Sequence, residues 1–124
     1  MAKDELRGPR RQLDSARRRT GGKPIRDARA EVNKSAGACE YFAEHAAEFL
    51  RDEEVATDAR KSYVRYEPLG VILGIMPWNF PVWQIIRYAA PVMMAGNATV
   101  LKHANNATGC ALAVEEQFAR AGFP

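Results

Sequence analysis

Hydrophobic and polar positions along the chain fall into two distinct periods. From Pro24 onward Val32, Ala36, Cys39, Ala43, Ala46 and Leu50 recur every three or four residues, while Glu31, Lys34, Glu40, Glu44 and Glu48 occupy the other positions. That spacing predicts an amphipathic helix with the glutamates on its solvent face. Asp52-Glu53-Glu54 and Thr57-Asp58 then read as a polar connection. Tyr63 to Glu67 alternates large and charged residues, which predicts a strand with one exposed face before Pro68 and Gly70 turn the chain. Val71 to Met76 is an unbroken run of strand-type or apolar residues. It predicts a buried strand that Pro77 ends, because proline has no N–H to give a ladder.

After Pro81, the residues Val82, Trp83, Ile85, Ile86, Ala89, Ala90, Val92 and Met93 make a helix apolar almost all round, and hence buried on several sides. Pro91 is expected to break or restart it, and Gly96-Asn97 to cap it. Thr99 to Lys102 reads as a second short strand. Thr108 is the candidate cap of a final helix carrying Ala111, Leu112, Val114, Phe118 and Ala119, closed by Gly122 and Pro124. The order is helix, strand, strand, helix, strand, helix. Its core is the opening β-α-β-α of an α/β dinucleotide-binding domain. Two core strands expect partners on both faces and at their outer edges, so the chain alone is expected to be marginally stable.

At 124 residues the chain holds one domain at most, and 47% hydrophobic with 27% charged residues is ordinary for a soluble protein. Gln84, Arg87 and Asn97 interrupt the one apolar stretch that approaches membrane-helix length, so no membrane partner is expected. Cys39 and Cys110 lie far apart in helical contexts, with no metal-ligand spacing. Cys39 falls on the apolar stripe and reads as a core residue. A reducing cytoplasm follows as the expected compartment. The net charge of +3 is unevenly placed: residues 1 to 26 hold nine Lys or Arg against three Asp or Glu. Residues 1–23 therefore read as a basic leader, disordered or loosely helical. No aromatic residue or binding motif accompanies its arginines, so no nucleic-acid partner is expected.

The candidate chemistry sits in Met76-Pro77-Trp78-Asn79-Phe80-Pro81. Asn79 is the side chain of this hexapeptide that can donate two hydrogen bonds, and it lies just past a strand's carboxyl end, where open α/β sheets bind ligands. The competing reading is a turn asparagine that bonds its own backbone. Arg87 is the sole cation of an otherwise apolar helix. It either meets an anionic partner or reaches solvent along its stem.

Read together, Tyr66-Glu67-Pro68-Leu69-Gly70-Val71, Pro77-Trp78-Asn79-Phe80-Pro81, Ala95-Gly96-Asn97, Leu101-Lys102 and Ala121-Gly122-Phe123-Pro124 resemble the aldehyde dehydrogenase superfamily. Gly22-Lys23-Pro24-Ile25 and Ala28-Arg29-Ala30-Glu31-Val32 resemble its upstream helix. Within the superfamily the likeness is to succinate-semialdehyde dehydrogenases. The resemblance implies that residues 24–124 are part of a Rossmann-like NAD(P)-binding domain, and that the strand near Tyr63 belongs to an oligomerisation arm. It implies that Asn79 stabilises the oxyanion of a thiolate adduct, a role worth about 3 kcal/mol. Met76, Trp78, Asn79, Lys102, His103, Ala104 and Asn105 would meet the cofactor, and Arg87 the far carboxylate of the substrate. Many members carry proline after the lysine and glutamate three residues beyond it. His103 and Asn105 stand there instead, so NADP is expected to be accepted as well as NAD. The nucleophilic cysteine and general-base glutamate of the family match nothing here. The chain is thus expected to be an inactive partial dehydrogenase, with two alternatives: an interaction fragment that self-associates or pairs with a longer dehydrogenase, and a decayed reading frame.

Overall fold

A computed structural model describes residues 24–123. The basic leader expected over residues 1–23 lies outside the described residues. Helix α1 (Ile25–Phe49) comes first, followed by a hairpin of β1 (Glu53–Glu54) and β2 (Tyr63–Val64). Strand β3 (Val71–Met76), helix α2 (Trp83–Met94) and strand β4 (Ala98–His103) form the central unit. A 3-10 turn (Asn105–Ala107) leads into α3 (Thr108–Arg120). The fold is mixed α/β, as the pattern predicts.

Strands β3 and β4 pair in parallel, from Val71 opposite Ala98 to Met76 opposite His103. Helix α2 is the crossover between them, packed on one face of the pair. Its close approach depends on Gly74, where an added Cβ would lie 2.5 Å from Cε1 of Tyr88. The Tyr88 hydroxyl donates to the Ile72 carbonyl, which holds the ring across that glycine. Around α2 the core gathers Val32 of α1, Val82, Ile85, Ile86 and Ala90 of α2 and its entry, and Cys110 and Val114 of α3. The opposite face of the sheet is bare. Val71, Leu73, Ile75 and Val100 are 68, 61, 70 and 54% exposed, although both faces of a parallel sheet are ordinarily covered.

Helix α2 passes through Pro91 without a break, contrary to expectation. The carbonyl that loses its bond to a proline ring nitrogen is that of Arg87, four residues back on the exposed side, where water can serve it. The helix ends at Gly96 as expected. With φ +81° there, the Gly96 N–H donates to Met93 and the Asn97 N–H to Val92, the paired closure of a Schellman motif. Asn97 does more than cap: its Oδ1 accepts from the Leu69 and Gly70 N–H groups, 2.6 and 3.0 Å away, fastening the end of α2 to the entry of β3. Helix α3 closes in the same way on Gly122, with Phe123 edge-on to Phe118. Thr108 is not its cap. That residue lies inside the helix, and its hydroxyl donates to the Asn105 carbonyl.

The hairpin corrects the reading of residues 52–67. Only Tyr63 and Val64 of the expected strand enter a ladder, and their partners are Glu53 and Glu54, which read as a connection. Side chains supply what β-propensity does not. The Arg65 guanidinium grips Asp52 through Nε (2.9 Å) and Nη2 (2.6 Å), and the Tyr66 hydroxyl donates to Glu53.

Two outcomes follow from this packing. Gly74→Ala should cost about 1–3 kcal/mol in denaturant unfolding by overpacking against Tyr88, and Tyr88→Leu in the same chain should recover part of the loss. The hydrogen bond from Arg65 holds the Asp52 carboxyl below its usual range. The folded value lies below the unfolded one, so the bridge contributes fully above the ordinary carboxylate range and fades as pH falls through the depressed value. Protection of the Val64 amide, measured against the unfolded chain's exchange rate at the same pH, should therefore fall only in that acid window, and Asp52→Asn should abolish that fall.

Candidate functional site

The parallel register sets two strand ends flush. Met76 pairs with His103, Ile75 with Lys102, and the Ala104 N–H donates to the Met76 carbonyl at 3.0 Å. The chain leaves β3 through Pro77 to Phe80, all exposed, and re-enters the body at Pro81 and Val82, both buried. Met76, Trp78 and Asn79 thus share one edge with Lys102, His103, Ala104 and Asn105. Trp78 is 62% exposed, so it is not a core residue of the described chain. Asn79 is exposed, and its side-chain amide has no hydrogen-bond partner among the described residues, which leaves both N–H groups available. The reading of Asn79 as a turn residue bonded to its own backbone finds no such bond.

Lys102 points from the bare face of β4, where alternate residues are exposed. His103 points from the covered face and is buried. Its Nδ1 accepts from the Ala104 N–H at 2.7 Å, so the proton sits on Nε2, which donates to the Pro81 carbonyl at 2.9 Å. Both ring nitrogens are therefore engaged with backbone, and any contact of His103 with a ligand is left to its own main chain. Asn105 is exposed at the start of the 3-10 turn. Arg87 lies on the exposed side of α2, one turn in from its start, with no salt-bridge partner among the described residues.

Glu31 is the residue whose position the sequence pattern misplaces. Expected on the solvent face of α1, it is 4% exposed, and its Oε1 accepts from the N–H groups of Val82 (2.8 Å) and Trp83 (2.9 Å). These are orphan donors at the start of α2, whose own N-cap offers no side-chain acceptor. The buried stripe of α1 runs through Ala28, Glu31, Val32, Ser35 and Ala36. Small residues one turn to either side of Glu31 were the available signal, since Ala28 and Ser35 mark a close approach of helices. Cys39 is half-buried, and burial followed by the charge of Glu40 pushes its thiol above the ordinary range. Cys110 is fully buried. Neither is placed to act as a thiolate at the loop.

A cavity of about 560 Å³ lies among α2, β4 and α3, lined by Tyr88, Met93, Leu101, Lys102, Thr108 and Phe118 among others. It does not include Asn79 and is set by helix packing, so the candidate site is the open strand edge. Among the described residues no group of three His, Cys, Asp or Glu side chains is placed to hold a metal, and no helix is long and apolar enough to cross a membrane.

A family model described as the aldehyde dehydrogenase family matches residues 1–124. The chain belongs to the aldehyde dehydrogenase family. It is 58% identical over 103 residues to a probable succinate-semialdehyde dehydrogenase [NADP(+)] of Synechocystis, covering 83% of this chain and 23% of that relative. Against the succinate semialdehyde dehydrogenase [NAD(P)+] Sad of Escherichia coli the identity is 50%, over 83% of this chain and 22% of the relative. The succinic semialdehyde dehydrogenase of Streptococcus pyogenes, solved with NADP+, superposes with a TM-score of 0.92 at 36% identity, over 98% of this chain and 27% of that one. PnpE, solved with nicotinamide adenine dinucleotide, gives 0.90 at 30% identity, over 98% and 25%. This aldehyde dehydrogenase chain spans about a quarter of the length of the relatives it matches.

Proposed function

We propose that the chain forms the first part of the NAD(P)-binding domain of a succinate-semialdehyde dehydrogenase, residues 24–124, and contributes the amide that stabilises the oxyanion. The observation that carries this reading is the flush pair of strand ends, which sets the exposed Asn79 loop beside Lys102. The edge suits a dinucleotide. Lys102 and Asn105 offer an ammonium and an amide, and no Asp or Glu occurs from Ala98 to Val114 to repel a phosphate. NADP as well as NAD is therefore compatible with it, in keeping with the names of both curated relatives.

When bound, the dinucleotide supplies the hydride acceptor. The chain's own residues hold and orient. Lys102 and Asn105 would donate to its ribose or phosphate oxygens, and the backbone from Met76 to Trp78 would border it. As a nucleophile adds to the aldehyde, the oxygen gains charge, and a preoriented N–H of Asn79 stabilises that charge more than it does the neutral carbonyl. Arg87, an exposed guanidinium, would take the carboxylate at the substrate's far end through its planar fork. Neither Cys39 nor Cys110 supplies the nucleophile, so the 124-residue chain alone has no turnover. Two free cysteines suit a reducing, cytoplasmic setting.

A second reading, that the chain self-associates or pairs with a longer dehydrogenase, is favoured by the bare apolar face of Val71, Leu73, Ile75 and Val100. Recovery of a longer dehydrogenase bound to the tagged chain, lost on Leu73→Glu, supports it. Recovery of the tagged chain as a free monomer speaks against it.

The main reading is tested by substituting this chain for the matching span of the Synechocystis relative. The hybrid should reduce NADP+ with succinate semialdehyde, and Asn79→Ala should lower kcat about a hundredfold, equivalent to roughly 3 kcal/mol, with little change in KM. Arg87→Met should raise KM for succinate semialdehyde but not for an uncharged aldehyde. Unchanged kcat in Asn79→Ala would overturn the assignment.

A further inference from the structure

We propose that Glu31 is a positioning residue for the Asn79 loop, acting with His103 on the single peptide unit that joins Pro81 to Val82. That unit is held from both sides. Its N–H donates to Glu31 Oε1 at 2.8 Å, and its carbonyl accepts from His103 Nε2 at 2.9 Å. Glu31 comes from α1, fifty-one residues away in sequence, and takes the Trp83 N–H with the same oxygen. The entrance of the loop is fixed by the last bond of the parallel ladder, from the Ala104 N–H to the Met76 carbonyl. Between those two anchored ends lie the exposed residues Pro77 to Phe80; the Phe80 carbonyl also accepts from the Gln84 N–H at 2.9 Å, and Asn79 is the residue just before it.

Burial makes the arrangement specific. A carboxylate 4% exposed on a helix that is largely solvent-facing is costly unless its acceptor capacity is filled. The start of α2 fills it, with two N–H groups aimed at one oxygen and the positive end of the helix dipole behind them. The loop that carries Asn79 ends at those same N–H groups. A shift of Glu31 therefore moves the exit of the loop without disturbing β3. The His103 imidazole supplies the opposite grip. The inference depends on the oxyanion reading of Asn79 only for its chemical consequence. The positioning itself is a property of the backbone.

The test uses hydrogen exchange by NMR on the full 124-residue chain, with NADP+ as an added probe. Glu31→Ala should speed exchange of the Val82 and Trp83 amides roughly ten- to hundredfold, the range for lost bonds to a charged acceptor, while the β3 and β4 amides keep their protection. Glu31→Gln retains the length and an acceptor oxygen and should restore most of the protection. Glu31→Asp retains the charge but is one methylene short, and should not. Should Glu31→Ala fail to fold, the Gln and Asp pair carries the comparison. Unchanged exchange at Val82 and Trp83, or acceleration spread evenly over α1, β3 and β4, overturns the proposal. NADP+ separates the two readings. If the wild-type chain shows no NADP+-induced shifts at Trp78, Asn79 or Lys102, the dinucleotide reading fails, while the exchange pattern still decides the role of Glu31.

Discussion

The parallel pairing of β3 with β4 is the constraint on which this molecule depends. Two parallel strands cannot be joined by a tight turn, so the chain between Met76 and Ala98 must travel the length of the pair and return. Helix α2 is that return path. Its distance from the sheet is set by a tyrosine lying across a glycine, and its far end is tied to the entry of β3 by the Asn97 amide. With both contacts in place, the register from Val71 opposite Ala98 to Met76 opposite His103 leaves the two strands ending level. A slip of one residue would move Lys102 to the covered face and His103 to the bare one. The composition of the candidate edge is thus a consequence of register.

The same crossover explains the buried polar groups. An apolar helix sunk between a sheet and two other helices hides the N–H groups of its own first turn, which must find acceptors inside the protein. A helix that begins after two prolines and an aromatic residue has no serine, threonine or aspartate at hand to cap it. Glu31 answers that demand from α1. His103 and Ser35 are also buried, and each is bonded to backbone. Gln117 is different: it is buried on α3, and its Nε2 has no hydrogen-bond partner among the described residues. It lies on α3, the helix that follows β4 among the described residues.

What the residues disclosed in advance follows from which forces are local. The extent of β3, though not the burial its apolar run predicts, the apolar surface of α2 and the glycine closures at Gly96 and Gly122 were legible because each rests on period or on a single backbone requirement. The level strand ends followed once the β-α-β unit was recognised. The errors have the opposite character. Glu53 and Glu54 have no strand propensity, and become a strand through Asp52 to Arg65 and Glu53 to Tyr66, pairs thirteen residues apart. Pro91 fails to break its helix because of the direction its i−4 carbonyl faces. Glu31 is buried because α2 needs an acceptor there, a demand that no window around residue 31 contains. Partners distant in sequence decided the glutamates and the helix's placement against solvent decided the proline, and a one-dimensional pattern carries neither.

The bare face and the built edge belong to one physical account. Covering one side of a parallel pair suffices to order its ends, because the ladder, the crossover helix and the grips on the Pro81 peptide all lie on the covered side or in the plane. The opposite side contributes apolar area and little orientation. Val71, Leu73, Ile75 and Val100 point from it into solvent, and Lys102 extends the same row to the strand's carboxyl end. Whatever covers that face stabilises the sheet and borders Lys102 in the same act. The apolar row and the charged strand end share one face, whereas the two bonds on the Pro81–Val82 peptide lie on the other.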